Sequence, residues 1–220
     1  MRINKPATIP NSMSKDLAEE IGMHLGDGSL TYGKYKTSTA YTYSFSSGTD
    51  EEEYCLNYAM SLIYKLYSLK PTVSRAKHHN TISLQYKSKR LFNFKKSLGL
   101  PVGRKNHLEI PKCVLESNYV FDFLRGLFDT DGCLHFQKKY KKIHYYPRLD
   151  ITSKSENLIS QVDKVLRKNS FTTSLLLNIK APASNGTECI TSRVFIYGKK
   201  KTLKNGLNLL DFQIKKILIN

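Results

Sequence analysis

Two short segments of this chain carry an aspartate directly before a glycine, at the end of a stretch with helical character. They read GMHLGDGSL at residues 22–30 and GLFDTDGCL at residues 126–134. If folding brings Asp27 and Asp131 together, their carboxylates repel each other unless a cation neutralises them. Oxygen ligands suit Mg²⁺, and many enzymes that hydrolyse phosphodiesters use carboxylate-bound Mg²⁺ beside the phosphate. The two acids are therefore candidate metal ligands.

These acids lie at equivalent points of a repeated order of elements. Asp131 follows Asp27 by 104 residues, and the same offset relates a helix predicted to begin near Ser155 to one near Glu51. Apolar periodicity and turn residues predict helix, hairpin, helix, hairpin, helix in each half. We interpret the chain as an internal duplication of an αββαββα unit. The predicted segments are 14–29, 29–47, 50–69, 71–87 and 88–100, then 117–134, 135–153, 154–170, 172–198 and 199–212.

Small residues on the two motif helices predict a close helix contact. Gly22, Gly26 and Gly126 have no Cβ, so two backbones can approach each other there. In a duplicated chain the two helices can pack side by side about a pseudo-twofold axis. Asp27 and Asp131 would then emerge next to each other.

The large apolar side chains near the motifs are assigned to the core. Met23, Leu127 and Phe128 are expected in the core or at the helix contact. Among the tyrosines of the first hairpin, alternate ones are expected to pack in the sheet core against the helices. The four tyrosines of this hairpin are Tyr32, Tyr35, Tyr41 and Tyr43.

The charge of the chain indicates a polyanionic partner. Lysine and arginine number 35 against 18 acids, which gives a formal net charge of +17. Residues 1–110 carry 16 basic and 9 acidic side chains, and residues 111–220 carry 19 and 9, so the excess is not confined to a tail. Nucleic acid is the usual partner of such a basic body, with a solvated basic surface as the alternative.

Several other classes of protein are not indicated. No apolar run approaches the roughly 20 residues of a membrane span, and the N-terminus lacks the apolar region of a signal peptide. The four cysteines form no C-x-x-C pair, so a zinc site or a disulfide framework is not expected. We expect an intracellular location, in the cytoplasm of a prokaryote or an organelle of a eukaryote.

The segment LRGLFDTDG at residues 124–132 closely resembles the LAGLIDADG motif of homing endonucleases, and EIGMHLGDG at residues 20–28 is a looser copy. Two motifs in one chain resemble the monomeric, intron-encoded branch. The resemblance implies an α+β fold of two pseudo-symmetric αββαββα subdomains, each with a curved antiparallel four-stranded DNA-binding sheet. We place the subdomains at 12–99 and 119–212, joined by a linker at 100–118.

The resemblance also implies an activity and a cofactor. Such enzymes cut both strands of a long DNA site and leave 3′ overhangs, and the site here is expected to be asymmetric and about 20 base pairs long. Two or three Mg²⁺ ions, for which Mn²⁺ can substitute, would be shared between Asp27 and Asp131. Gly26 and Thr130, which precede these acids, are included in the metal site.

Further residues are assigned by the same resemblance. Lys89 and Lys199, with Lys200 as the alternative register, match basic residues that lie near the active site and stabilise charge on the phosphate. Residue pairs before the second helix differ between the halves, with Ser47-Gly48 in one and Ser153-Lys154 in the other. The candidate DNA-binding residues, mainly on the hairpins, are Lys34, Lys36, Arg75, Lys77, Gln85, Lys87, Lys138, Lys139, Arg148, Lys154 and Arg193.

Three functions remain open from the sequence. The first is intron homing by a sequence-specific, double-strand DNA endonuclease that acts as a monomer. The second is an RNA maturase, with intron RNA as the partner. The third is a catalytically inactive DNA-binding regulator, against which the two intact acids argue. Because no flanking splicing blocks are recognised, an intron origin is favoured over an intein origin.

Overall fold

The structure is a computed structural model that describes residues 6–36, 38–76, 80–105, 107–137, 146–182 and 187–197. The chain divides into two compact units. The first comprises the described residues of Met1–Arg104 and Pro111–Leu127, and the second those of Lys105–Ile110 and Phe128–Asn220. No helix of the described residues is long and apolar enough to cross a membrane.

Helices and antiparallel hairpins alternate along the described chain. Six α-helices are present in this part, and the second is preceded by a 3₁₀ turn at Thr49–Glu51 and a π-helical segment at Tyr54–Ala59. The helices are α1 (Lys15–Asp27), α2 (Met60–Tyr67), α3 (Lys89–Ser97), α4 (Lys112–Leu115), α5 (Val120–Asp131) and α6 (Glu156–Lys168). The strands are β1 (Gly28–Lys34), β2 (Thr39–Gly48), β3 (Thr72–Ala76), β4 (Thr81–Lys87), β5 (Gly132–Gln137), β6 (Tyr146–Ser153), β7 (Thr173–Pro182) and β8 (Glu188–Ile196).

The sheet of the first unit has the order β1-β2-β4-β3 and is antiparallel throughout. Its alternate side chains Tyr43, Phe45, Leu84 and Tyr86 are buried, because successive residues of a strand point to opposite faces. Tyr43 is therefore a core residue, as predicted. Tyr32 and Tyr35 are exposed instead, toward the outer end of the β1–β2 hairpin.

The second unit repeats this order in its own sheet, β5-β6-β8-β7. Leu149 and Ile151 of β6 and Val194 of β8 are buried on one face. Helix α6 begins at the N-cap Ser155, whose hydroxyl accepts a hydrogen bond from the Leu158 amide. Two sheets with the same strand order confirm the predicted α+β duplication. The predicted helix at 199–212 lies outside the described residues.

The predicted helix at 50–69 is less regular than expected. Its first half is mainly a 3₁₀ turn and the π-helical segment, and the regular α-helix is Met60–Tyr67. Tyr54 and Tyr58 of the π-helical segment stack with ring centroids 5.5 Å apart. The Tyr58 hydroxyl also donates a hydrogen bond to Glu19 of α1, so this irregular segment is fastened to the motif helix.

The segment at 100–118 contains more structure than its composition indicated. Val102 forms a parallel bridge with Leu30 of β1, and α4 lies within the segment. In the second unit, Leu108 exchanges two hydrogen bonds with the hydroxyl of Ser155, at 2.9 Å from its amide and 2.7 Å to its carbonyl. The backbone at Leu108, between the two repeats, is therefore hydrogen-bonded to the start of α6.

Candidate functional site

The motif helix α1 packs backbone to backbone against the part of α5 that belongs to the first unit. A Cβ built on Gly22 would lie 2.0 Å from the carbonyl oxygen of Phe123, and one built on Gly126 would lie 2.1 Å from that of Glu19. Real side chains do not tolerate such distances, so both positions require glycine for this contact. The close approach predicted for Gly22 and Gly126 is therefore present.

Buried charges fasten the same helix contact. The Arg125 guanidinium of α5 donates to the Glu19 carboxylate of α1, and both side chains are almost fully buried. Asp122, one turn before Arg125, lies 3.6 Å from it. Because a buried charge without a partner is costly, each of these residues stabilises the position of the others. Sequence reasoning did not identify this ion pair.

Each motif helix passes directly into the first strand of a sheet. Asp27 is the last residue of α1 and Gly28 the first of β1, while Asp131 ends α5 and Gly132 begins β5. A Cβ on Gly28 would lie 2.6 Å from the Cα of His24, and one on Gly132 would lie 2.3 Å from a backbone oxygen of the preceding turn. The Asp-Gly sequence is therefore explained locally, because only glycine lets the chain turn so sharply after the acid.

The two motif acids are partly exposed at their helix ends, as are the preceding Gly26 and Thr130. The Asp27 charge contributes to raising the pKa of the buried Cys55 thiol to about 11, although burial is the larger cause. Burial likewise raises the pKa of Asp131 to about 6, against the smaller opposing effect of Lys105. A carboxylate that is costly to ionise in isolation is suited to a site where a cation neutralises it.

A second buried cluster supports α1 from the side of the first sheet. Glu20 accepts hydrogen bonds from the hydroxyls of Tyr43 and Tyr67 at 2.7 and 2.8 Å, and from the Lys95 ammonium at 2.5 and 2.7 Å. Glu20 and Lys95 have no exposed side-chain surface. Burial lowers the pKa of Lys95 and raises those of both tyrosines. No local sequence pattern pairs Glu20 of α1 with Lys95, which lies 75 residues further along the chain.

The first sheet has an open face, which we define as the face opposite its buried side chains. Directly opposed residues of antiparallel strands share a face, so Ser44 with Gln85 and Thr42 with Lys87 lie on the open face. Arg75 is opposite the buried Ile82 and therefore lies on the other side. There its guanidinium binds Glu52 at 2.6 Å, so the structure does not bring Arg75 to the open face.

The second sheet has an equivalent open face that is more charged. It carries Cys133 and His135 of β5, Arg148, Asp150 and Thr152 of β6, and Arg193 and Phe195 of β8. The Arg148 guanidinium stacks 3.5 Å from the centroid of the Phe195 ring. Arg193 donates to the Thr152 hydroxyl at 2.6 Å and lies 3.4 Å from Asp150. Both predicted DNA-reading arginines of this unit are thus held in place on one face.

The remaining assigned lysines fall at element ends. Lys34 ends β1 and Lys36 follows it, while Lys154 is exposed directly after β6. Lys89 is the first residue of α3, at the predicted place, with its ammonium 5.6 Å from the centroid of the Tyr41 ring. Other assigned lysines lie outside the described residues: Lys77, Lys138, Lys139, Lys199 and Lys200.

Large residues near the motifs are in the core, as predicted. Met23 and Leu127 have no exposed surface, and Phe128 is 3% exposed. His24 is also fully buried and stacks on the Tyr43 ring, with centroids 5.1 Å apart. His24 and Leu25 of the first motif segment are thus both buried in the first unit.

Two duplicated sheets, each entered from a helix that ends in Asp-Gly, define a LAGLIDADG-type fold. Residues 118–203 match the family described as the LAGLIDADG-like domain. The resemblance inferred from the motifs is confirmed.

Solved structures with this fold align with most of this chain and over most of their own length. Mesophilic variants of the homing endonuclease I-DmoI match with a TM-score of 0.62 and 17% identity, over 89% of this chain and 94% of theirs. I-DmoI in complex with DNA and Ca matches at 0.59 and 18%, over 88% and 86%. The I-LtrWI LAGLIDADG homing endonuclease bound to target DNA matches at 0.57 and 10%, over 93% and 87%. These likenesses show the fold.

The curated relatives that this chain matches are much longer proteins, and the chain spans only a small part of their length. The ribonucleoside-diphosphate reductase NrdEB subunit alpha of Bacillus subtilis (strain 168) and that of Bacillus phage SPbeta are each 26% identical over 174 residues. The match covers 75% of this chain and 15% of either relative.

Proposed function

We propose that this protein is a sequence-specific DNA endonuclease that cuts both strands of a long, asymmetric site with divalent metal. The observation that carries the proposal is the twice-repeated path from a helix ending in Asp-Gly into a sheet with a polar open face. Solved relatives support the partner, since I-DmoI and I-LtrWI are each described in complex with DNA. The net charge of +17 suits the same partner.

The chemistry of the acids fits a hard divalent cation. Asp131 is a partly exposed carboxylate whose pKa desolvation raises to about 6, and a bound cation would stabilise its charged form. Carboxylate oxygens prefer Mg²⁺ or Mn²⁺ over softer metals. We therefore assign Asp27 and Asp131 as the residues that would hold Mg²⁺, with Gly26 and Thr130 at the same helix ends. When bound, Mg²⁺ supplies charge stabilisation for the phosphate and lowers the pKa of a water molecule.

The protein's own side chains have separate roles in this proposal. Gln85, Arg148 and Arg193 present hydrogen-bonding groups on the open faces, where guanidinium and amide groups can read base edges. Lys87 and Lys154 are suited to phosphate contacts, which position DNA without reading sequence. Arg75 is left out because it lies on the opposite side of its sheet and binds Glu52.

Lys89 is assigned a charge-stabilising role near the reacting phosphate, with Lys199 or Lys200 as its counterpart. As the first residue of α3 it is exposed, and Ser88 caps the helix by accepting a hydrogen bond from the Leu91 amide. The cap fixes where the Lys89 backbone begins the helix, while the long side chain stays free to approach a bound backbone phosphate. We expect substitution of Lys89 by Met to slow cleavage more than it weakens binding.

The proposal is tested with a plasmid library that carries randomised inserts, incubated with the protein and Mg²⁺. Sequencing of the ends should reveal cuts on both strands within a shared site of about 20 base pairs, with 3′ overhangs. Replacing Mg²⁺ by Ca²⁺ or adding EDTA provides the metal controls. Duplex binding without cutting would indicate the inactive regulator, and preference for folded RNA over duplex DNA would indicate the maturase. Either result would contradict the proposal.

Variants of the motif acids test the site itself. Asp27→Asn and Asp131→Asn should each reduce double-strand cleavage by about 100-fold or more, because each removes a proposed metal ligand. Binding to the selected site should change little. Asp16→Asn is the matched control, since Asp16 is an acid of α1 that pairs with Lys65 at the far end of the helix. Near-normal cutting by either motif variant would exclude that residue from the site.

A further inference from the structure

Three potential metal-binding side chains meet on the open face of the second sheet, on strands that follow the motif acid Asp131 in the chain. Cys133 of β5 is directly opposite Asp150 of β6, and His135 lies two residues further along β5 on the same face. One potential ligand atom from each of the three lies within 4.8 Å of the other two. Strand register therefore assembles a sulfur, a nitrogen and an oxygen donor in one place.

The carboxylate of Asp150 is the most constrained member of this cluster. Its side chain is 5% exposed, and Oδ1 lies 3.2 Å from Nδ1 of His135. Within the described part of the chain, Oδ1 accepts no hydrogen bond despite its burial. A buried carboxylate oxygen in that state is unusual, since buried polar atoms are normally satisfied. A nitrogen and an oxygen at this separation match neighbouring ligands of a small tetrahedral ion, which are roughly 3.3 Å apart.

The two nearby arginines have contacts with groups other than that oxygen. Arg193 lies 3.4 Å from the other oxygen, Oδ2, and donates to Thr152. Arg148 is stacked on Phe195. Arg193 therefore acts as an outer partner that orients the carboxylate, as ligating carboxylates are commonly oriented around metal ions.

We propose that Cys133, His135 and Asp150 bind one Zn²⁺ ion, with solvent completing the coordination. Thiolate and imidazole donors select zinc-like metals, whereas the all-oxygen motif acids suit Mg²⁺. Cys133 is exposed and lies on β5, an edge strand of the sheet, so its side chain can adjust to the ion and water can reach the fourth position. The ion would tie β5 to β6. This inference rests on strand register and donor chemistry and does not depend on the proposed function.

The test uses Co²⁺ as a spectroscopic probe on the purified full chain. We expect one thiolate-bound Co²⁺ per chain, with a thiolate-to-cobalt absorption band that stoichiometric Zn²⁺ removes and excess Mg²⁺ does not. Cys133→Ser should abolish the band. Cys113→Ser is the matched control, because Cys113 is a partly exposed free cysteine of α4, and that variant should retain the band.

Two further variants separate metal binding from folding. His135→Gln and Asp150→Asn should each weaken Zn²⁺ affinity by at least about tenfold, while circular dichroism of the metal-free proteins stays like that of the wild type. Since Cys133 and His135 retain exposed surface, their variants remain informative even if Asp150→Asn does not fold. Absence of the band from the wild type, its persistence in Cys133→Ser or its loss in Cys113→Ser would overturn the proposal.

Discussion

At the scale of single residues, Lys95 and Glu20 form an ion pair with no contact to solvent. Two tyrosine hydroxyls complete the hydrogen bonding of the carboxylate. Burying both charges costs desolvation energy that their attraction only partly offsets, so such pairs contribute little net stability. Removing one partner is different, because it leaves an uncompensated buried charge. The pair therefore constrains which conformations of the first unit are acceptable more than it adds to its stability.

A substitution series at this pair has a definite expected pattern. Lys95→Met should lower the free energy of unfolding by about 3–5 kcal/mol, because Glu20 loses its cation. The double variant Glu20→Gln with Lys95→Met should recover more than half of that loss, since the amide still accepts hydrogen bonds from the tyrosines. Urea unfolding measures both, with the exposed Lys96→Met as control. A double variant as unstable as the single one would contradict the loss of the ion pair as the cause of the destabilisation.

The raised pKa of Asp131 predicts that its ionised carboxylate lowers the free energy of unfolding. Its folded pKa of about 6 exceeds the ordinary 3.8, so the folded state binds a proton that the unfolded state has released between these pH values. Stability should therefore fall as pH rises from about 4 to about 6 and stay lower above that. The difference corresponds to roughly 3 kcal/mol at neutral pH.

Asp131→Asn should accordingly be more stable than the wild type above pH 6, by about 1–3 kcal/mol, in metal-free buffer. Because asparagine does not titrate, the variant should also lose the decline between pH 4 and pH 6. Chemical unfolding at several pH values in EDTA checks both. Equal stability of the two proteins at pH 7.5 would contradict the raised pKa.

At the scale of elements, the contact between α1 and α5 depends on the absence of two side chains. A methyl group on Gly126 would meet the backbone oxygen of Glu19 and the backbone nitrogen of Met23, neither of which can rotate away. The buried Glu19–Arg125 pair sits at the same contact. Separating the helices to admit the methyl group would therefore also disturb a buried charge pair.

Gly126→Ala should lower the free energy of unfolding by about 2–3 kcal/mol, because the helices must separate to avoid the overlap. Gly33→Ala in β1 is the control. A Cβ there would come no closer than 3.4 Å to an atom of the Tyr35 ring, an ordinary contact, and the change should stay within about 1 kcal/mol. Thermal or urea unfolding distinguishes the two, and equal effects would argue against a tight helix contact.

At the scale of the whole molecule, charge is the property that both halves share. Binding of duplex DNA by a chain of net charge +17 should release many counterions. A plot of log affinity against log salt concentration should have a slope on the order of −5 or steeper. Fluorescence anisotropy with a labelled duplex gives this slope. It is measured at several KCl concentrations in a buffer that contains Ca²⁺ in place of Mg²⁺. A nearly flat response would point away from a nucleic-acid partner.

The sequence alone determined the parts of this protein that depend on local spacing. Helical periodicity, turn residues and the Asp-Gly repeat identified the duplicated unit and placed Asp27 and Asp131 at helix ends. The same local signals placed Gly22 and Gly126 where a close helix contact could form. These features are readable because each depends on residues within a few positions of one another, or on a repeated spacing.

The tertiary structure decided which distant side chains meet. Lys95 and Glu20 are 75 residues apart, and no local pattern pairs them. Arg75 was expected on the DNA-binding hairpins, but its register opposite Ile82 places it on the other side of the sheet, beside Glu52. Register likewise brought Cys133 and His135 to Asp150 although the cysteines show no metal-binding spacing. A shift of one residue in strand pairing moves every side chain to the opposite face, and that register is set by packing of the whole sheet.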